Sequence, residues 1–394
     1  MAGKIAWVFG LGHGHAAQYL NFRESCPASL AERSLWVGMD FSVSGDRIAN
    51  MKFVPKYVQR RRNEIWHLKE ILKRDVDQDD ALFLASWNLR LLPYMRKYRS
   101  YFYVDFSPTL MRSLSPWYDH FHKQPMAQAI REALAAWLPR TARAVLTMSR
   151  WAANGIMIDY GIPKDRVHVV LPGANLRRWQ FIDRSARSGG RTRILMVGGE
   201  FQRKGGELLL EWAAKTKRTD FEIDIATWPG QLPERVRTIL GPLPEHGSVS
   251  SSLGPWLPNV RVHCGLKPNS PELLGLFDQA DIFCLPTQGD FSSIASLEAM
   301  ATGLPVIVGA VGGIPELIED RRTGFLITPG NVVALGNRLD ELIEDRALRL
   351  SVGRAARRAC EEHLNIERQL VEIAGIIDRD KVRRTKRPSW RAPA

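Results

Sequence analysis

Short apolar runs alternate with helix-patterned segments along the whole chain. That alternation limits the possible folds more than any other feature. In the first half the runs fall near residues 5–9, 35–38, 81–85, 102–104, 144–147 and 167–171. In the second half they recur near 194–197, 222–226, 260–263, 282–285, 306–308 and 325–327. A strand with one wet face alternates apolar and polar residues. These runs are apolar on both faces, as in a parallel sheet covered by helices on both sides. The pattern predicts an α/β fold. At 394 residues, 45% of them hydrophobic, the chain is too long for one ordinary core and apolar enough for two.

The alternation restarts after "DRSARSGGRTR", residues 183–193, which is polar, carries a glycine pair and has no apolar period. The expected organisation is a first Rossmann-like domain over 1–183, a linker over 184–193 and a second Rossmann-like domain over 194–380. A basic, proline-containing tail over 381–394 is expected outside the fold. Two doubly wound domains that face each other leave an interdomain cleft. In open α/β sheets, ligands bind outside the carboxyl ends of the strands.

The formal net charge of +13 calls for an anionic partner: a phosphorylated substrate, an anionic membrane surface or nucleic acid. The four cysteines, Cys26, Cys264, Cys284 and Cys360, form no Cys-x-x-Cys pair. That spacing argues for a reducing compartment and against a zinc site. No apolar run approaches the ~20 residues of a membrane helix, and the first residues lead into a strand without a signal-peptide pattern. The expected location is the cytoplasm.

Three loops have the composition of a phosphate cradle. In "WVFGLGHGHAAQYL" a strand ends, Gly10, Gly12 and Gly14 follow, and a helix starts near His15. Small residues let the backbone approach a ligand, and a helix N-terminus favours an anion. The third glycine comes one place too early for the dinucleotide fingerprint, and a plain tight turn fits as well. In "RILMVGGEFQRKGGELLLEW", Arg203 and Lys204 stand before a helix start. They fit either a diphosphate clamp or a solvated turn. In "TQGDFSSIASLEAMATGLPVI", Asp290 follows a strand. The amides of Phe291, Ser292, Ser293 and Ile294 open a helix, and Gly303 ends it. Glu298 lies about one turn along that helix among core-like neighbours, where an acid needs donors. A helix-surface acid and a loop acid remain open for Glu298 and Asp290.

In combination these segments resemble the family 4 retaining glycosyltransferases (group 1), which have the GT-B fold. That family carries a Glu, seven residues and then Glu-Ala-Met. A small-x-Gly-x-Pro-Val turn and a Gly-Gly-x-x-Glu loop follow. Here Asp290, Glu298-Ala299-Met300, "ATGLPVI" and "GGIPELIEDRRTGFLI" take those places. "FQRKGGELLLEW" is similar to the phosphate-binding Lys-Gly element, and "VLTMSRWAANGIMIDYGIPKDRVHVVLPGANL" to the segment closing the N-terminal domain. The likeness runs well from Val145 to Leu326 and poorly over the first 140 residues.

The resemblance implies a metal-independent, retaining transfer of a sugar from a UDP- or GDP-linked donor, with no further cofactor. The acceptor is a saccharide or lipid-linked saccharide, as in cell-surface glycan assembly. Asp290 then faces the donor sugar and Glu298 the ribose. The amides of Phe291, Ser292, Ser293 and Ile294 hold the diphosphate with Arg203 and Lys204 opposite, and Gly12 and Gly14 approach the donor from the first domain. Two departures stand out. The first acid is one methylene shorter than the family Glu. The fourth strand ends at Asp105 where the family often has His, and Asp105 fits either an orienting role in catalysis or a turn cap.

Three rival readings stand beside this one. A nucleotide-sugar epimerase of the same fold needs an acid–base set that the sequence does not offer. A metal-dependent transferase needs Asp-x-Asp after a strand, whereas Asp75-Val76-Asp77 precedes one. A non-enzymatic nucleic-acid or membrane-binding protein explains the charge, but no nucleic-acid module accompanies it, and no nucleic-acid partner is expected. The basic, helix-patterned run 56–74 has Ile65, Leu68, Ile71 and Leu72 on one side. It fits either an anionic membrane surface, with the protein peripheral on its inner face, or an ordinary domain helix.

Overall fold

The computed structural model describes residues 3–10, 15–39, 56–118, 132–187, 189–242 and 249–385. Gly12, Gly14 and residues 386–394 lie outside them. The chain forms two compact units. The first takes the chain up to Thr109, resumes until Leu171 and ends with the segment from Ile366. The second takes a short segment from Leu110 and then Pro172–Asn365.

The first unit is built on β1 (Ile5–Gly10), β2 (Ser34–Met39), β3 (Ala81–Ala85), β4 (Arg99–Val104), β5 (Ala144–Thr147) and β6 (Val167–Val169). They form a six-stranded sheet in the order β2-β1-β3-β4-β5-β6, parallel throughout. Both faces are buried, with period two. Ile5, Trp7 and Phe9 of β1 pack with Phe83, Tyr101 and Leu146 in one core. Ala6 and Val8 pack with Leu82, Leu84 and Phe102 in the other. Helix Lys56–Asp75 covers this second face through Leu68 and Leu72.

The last helix, Ile366–Thr385, covers the first face with a stripe of Ile366, Leu370, Ile373 and Ile377. Its far end is fixed by charge. Arg33 grips Asp378 with two bonds of 2.9 and 2.7 Å, and the Tyr101 hydroxyl donates to Asp380 at 2.7 Å. An amphipathic stripe shows that a helix is buried but not against which sheet. Thus the sequence pattern left this helix with the second domain. Residues 381–385, expected in the tail, continue it.

The second unit holds β7 (Thr192–Val197), β8 (Phe221–Thr227), β9 (Val249–Leu253), β10 (Leu257–Cys264), β11 (Ile282–Leu285), β12 (Val306–Gly309) and β13 (Phe325–Ile327). The order is β13-β12-β11-β7-β8-β10-β9. All pairs are parallel except β9 on β10. The expected doubly wound α/β architecture is therefore present in both units, and each expected strand is found. β9, "VSSSL", was missed because an edge strand pairs on one side only and needs no apolar faces.

The change of unit falls at Leu171–Pro172, ahead of the polar stretch 183–193. Residues between them pack on the second unit. Trp179 meets Phe277 edge-on at 4.7 Å, and Arg184 donates to the carbonyls of Phe277, Ala280 and Thr302 at 2.6–2.8 Å. Among the described residues no helix is long and apolar enough to cross a membrane. Cys264, Cys284 and Cys360 are buried and Cys26 is half-buried, all as free thiols.

Candidate functional site

Three loops at the carboxyl ends of β7, β11 and β12 are stitched together. The loop after β7 turns tightly, with the Lys204 amide on the Glu200 carbonyl at 2.9 Å and the Gly205 amide on the Gln202 carbonyl at 3.0 Å. Gly205 has φ +84°, and a Cβ there would lie 2.1 Å from the carbonyl oxygen of Pro286, the residue after β11. Only glycine permits both the conformation and the approach. The Arg203 carbonyl accepts the Gln288 amide at 2.9 Å. On the other side, the Phe291 carbonyl accepts the Gly313 amide at 2.8 Å. Gly312, at φ +56°, passes so close that a Cβ would stand 2.2 Å from the Asp290 carbonyl oxygen.

These loops bring Arg203, Lys204 and Asp290 together. Lys204 Nζ donates to Asp290 Oδ2. Asp290 Oδ1 accepts the Phe291 amide at 3.1 Å and lies 3.8 Å from Arg203 Nη1. Arg203 and Lys204 are only 11% and 16% exposed, and the Asp290 side chain is 8% exposed. Neither side is a solvated surface charge, and buried charges of this kind persist only when paired.

Arg203 donates through Nε and Nη2 to both oxygens of Glu200 at 2.8 and 2.9 Å, and through Nη1 to the Gly289 carbonyl. Burial disfavours its charge. The bond to Glu200, followed by the charges of Asp290, Tyr118 and Glu200, outweighs that effect and holds the guanidinium above its usual pKa.

The sequence did not single out Glu200, although its i,i+3 spacing from Arg203 was a usable signal. It also gave no hint of Trp117 and Tyr118. Trp117 lies against Gly289, where a Cβ would stand 2.9 Å from its ring. Tyr118 stacks on Phe291 with ring centroids 4.9 Å apart and planes 17° apart, and the Arg203 guanidinium lies 5.3 Å from its centroid.

The loop continues into helix Ile294–Ala301, capped by Ser293, whose Oγ accepts the Ser296 amide at 3.3 Å. The Phe291 amide, expected to face a phosphate, is engaged by Asp290. Ser292 precedes the cap, and Ile294 opens the helix. Glu298 is 8% exposed within it, so it is no surface acid. Asp105 belongs to the first unit. It follows β4 and is half-buried. Burial and then the Asp105 charge raise the Tyr103 hydroxyl, which accepts from the Gln369 amide at 2.7 Å.

The arrangement pairs two cations with one acid at the ligand-binding end of a doubly wound sheet. It can take an anionic group on Arg203 and Lys204 and offer Asp290 to a neutral, hydroxyl-bearing neighbour.

Comparison with known proteins agrees with this region. Residues 177–359 match the family of glycosyl transferases group 1. The D-inositol 3-phosphate glycosyltransferase of Pseudarthrobacter chlorophenolicus is 30% identical over 225 residues, 55% of this chain and 50% of that protein. The chain thus spans about half the length of curated relatives it matches. Sucrose-phosphate synthase from Thermosynechococcus elongatus superposes with a TM-score of 0.72 at 15% identity, over 97% of this chain and 100% of that one. Anabaena Alr3699/HepE in complex with UDP superposes with a TM-score of 0.68 at 16% identity, over 95% and 100%. Residues 177–359 thus match the group 1 glycosyl transferases, and the architecture is the two-sheet GT-B fold.

Proposed function

We propose that this protein is a retaining glycosyltransferase that moves a sugar from a nucleotide-diphosphate sugar to a saccharide or lipid-linked saccharide. The observation that carries the reading is the buried Lys204–Asp290 pair beside Arg203, inside the family-matched region at the carboxyl ends of β7 and β11. In the structure Lys204 is balanced by Asp290. An arriving diphosphate takes the Lys204 ammonium and the neighbouring helix-start amides. Asp290 is thereby released toward the hydroxyls of the donor sugar, and Glu298 takes the ribose hydroxyls.

Chemistry then follows from charge. As the C1–O bond to the diphosphate breaks, negative charge grows on the leaving group, where Arg203 and Lys204 are already oriented. The acceptor oxygen bonds C1 on the same face, and its proton passes to a diphosphate oxygen. Asp105 in the first unit orients the reacting sugar or acceptor. Because side chains and amides supply the stabilising charge, the reaction runs without a metal or separate cofactor. The protein works in the cytoplasm, peripheral on an anionic membrane, where its product enters a surface glycan.

The test is a thermal-shift screen with UDP, GDP, ADP and their sugars, followed by transfer assays with the best donor in excess EDTA. A ligand at a hundred times its Kd adds ~2.7 kcal/mol of stability. Absence of any nucleotide-diphosphate shift, or transfer abolished by EDTA and restored by a divalent metal, would sink the reading.

A further inference from the structure

At the opposite end of the second sheet, where its strands begin, lies a cavity of about 810 Å3. Among its lining residues are Thr192 at the start of β7, Glu222 near the start of β8, and Asp281 and Pro305 just before β11 and β12. These strands are mutually parallel. The cavity is therefore separated from the Lys204–Asp290 end by the strand length, about 3.3 Å per residue.

Six arginines line it against three carboxylates, and the carboxylates are engaged. Asp220 is held by Arg218 at 3.0 and 2.7 Å. Asp281 accepts the Arg193 amide at 2.9 Å and meets Arg187 at 3.4 Å. Glu222 stands 3.7 Å from both Arg191 and Arg193.

What is left is an excess of guanidinium. Arg346 gives Nη2 to the carbonyls of Arg184, Ser185 and Arg187 at 2.7–3.3 Å, and Arg349 gives Nη1 to the Leu342 and Ile343 carbonyls. Carbonyls fix the orientation of a guanidinium without cancelling its charge. The other N–H groups of these two side chains, and those of Arg191, have no hydrogen-bond acceptor among the described residues. Burial, and then the Arg187 charge, push buried Arg184 down to about 10. Burial lowers Arg349 as well. Arg346 and Arg349 make no ion pair among the described residues, and Arg191, more than half exposed, meets only Glu222 at 3.7 Å, so positive charge on this cavity exceeds negative. A phosphate presents several charged oxygens that match the guanidinium fork.

We infer that this cavity is a second anion site, separate from the donor loops, that takes a phosphate-bearing ligand. The inference stands independently of the glycosyl-transfer reading. Its ligand is either a soluble phosphate ester or a lipid head group, which share the chemistry recognised here.

Calorimetric titration of the full chain with inorganic tripolyphosphate tests it. An Arg203→Ala/Lys204→Ala variant removes the donor-loop contribution and should keep a binding event. On that background, Arg191→Gln and, separately, Arg346→Gln/Arg349→Gln should each weaken this event about tenfold or more. The Arg191 side chain makes no hydrogen bond among the described residues and meets Glu222 only at 3.7 Å while more than half exposed, so a nearly unchanged melting temperature is expected for its variant even where loss of the Arg346 bonds unfolds the other. Cosedimentation with phosphatidylglycerol-containing vesicles separates the sources. A head-group site loses vesicle binding in Arg191→Gln, whereas a soluble-phosphate site loses only tripolyphosphate. Tripolyphosphate affinity equal in the background and in a folded Arg191→Gln variant overturns the inference, whatever the donor loops do.

Discussion

Lys204 Nζ donates to Asp290 Oδ2, joining residues 86 positions apart. Among the described residues neither has another ion-pair partner as close, and both are largely withdrawn from water. The pair therefore acts as a latch between the loop after β7 and the loop after β11. Any anion that enters must compete with Asp290 for Lys204.

Lys204→Ala is expected to weaken nucleoside-diphosphate binding by about 1.5–3 kcal/mol, roughly ten- to a hundredfold, and to leave nucleoside binding nearly unchanged. Titration of the parent and the variant with both ligands measures this. Equal losses for nucleoside and nucleoside diphosphate count against a diphosphate clamp.

The two acids should separate. Glu298→Gln is expected to impair chiefly the binding of the nucleotide part. Asp290→Asn is expected to retain nucleotide binding and to lower turnover, because its partner is the sugar. Transfer by Asp290→Asn at the parental rate would show that the reacting sugar lies elsewhere.

Gly312→Ala places a Cβ 2.2 Å from the Asp290 carbonyl oxygen at φ +56°. The cost is about 1–3 kcal/mol of stability, with a loss of turnover because the Asp290 backbone must shift. Gly254→Ala is the control. Its φ is +59°, yet a Cβ there meets nothing within 4 Å, so it should leave turnover intact. Melting temperatures and steady-state rates of both variants give the comparison. Matching rate losses would remove the close approach as the cause.

Arg60, Arg61 and Arg62 lie on helix Lys56–Asp75. Their joint change to Gln should reduce binding to anionic vesicles, each basic residue near such a surface contributing on the order of 1 kcal/mol. Salt should reduce the parental binding in the same way. Donor binding is expected to be unaffected. A parent that shows no preference for anionic over neutral vesicles at low salt removes the surface-binding role of this helix.

Much of this was legible in the chain itself, for a physical reason. A strand covered on both faces must be apolar at consecutive positions, and a helix start needs its cap. Ile282–Leu285, Ser293 and Gly303 therefore announce a strand, a loop and a short helix without any knowledge of neighbours. Asp290, Arg203 and Lys204 could be singled out because charged residues beside strand ends and glycine turns have few purely local explanations.

Partnership was not legible. That Glu200 holds Arg203, that Tyr118 covers Phe291 and that Asp290 meets Lys204 depends on which loops the sheet order β13-β12-β11-β7-β8 sets side by side. Stripe periodicity showed that helix Ile366–Thr385 is buried. The pairing of Asp378 with Arg33 and of Asp380 with Tyr101 decided that it closes the first sheet. In the same way, arginines scattered from 184 to 349 share no signal in the sequence, and the common amino end of β7, β8, β11 and β12 gathers them. Periodicity reports the solvent exposure of each residue, a local property. Contacts between residues far apart in sequence are set by strand order and loop geometry, which only the folded chain determines.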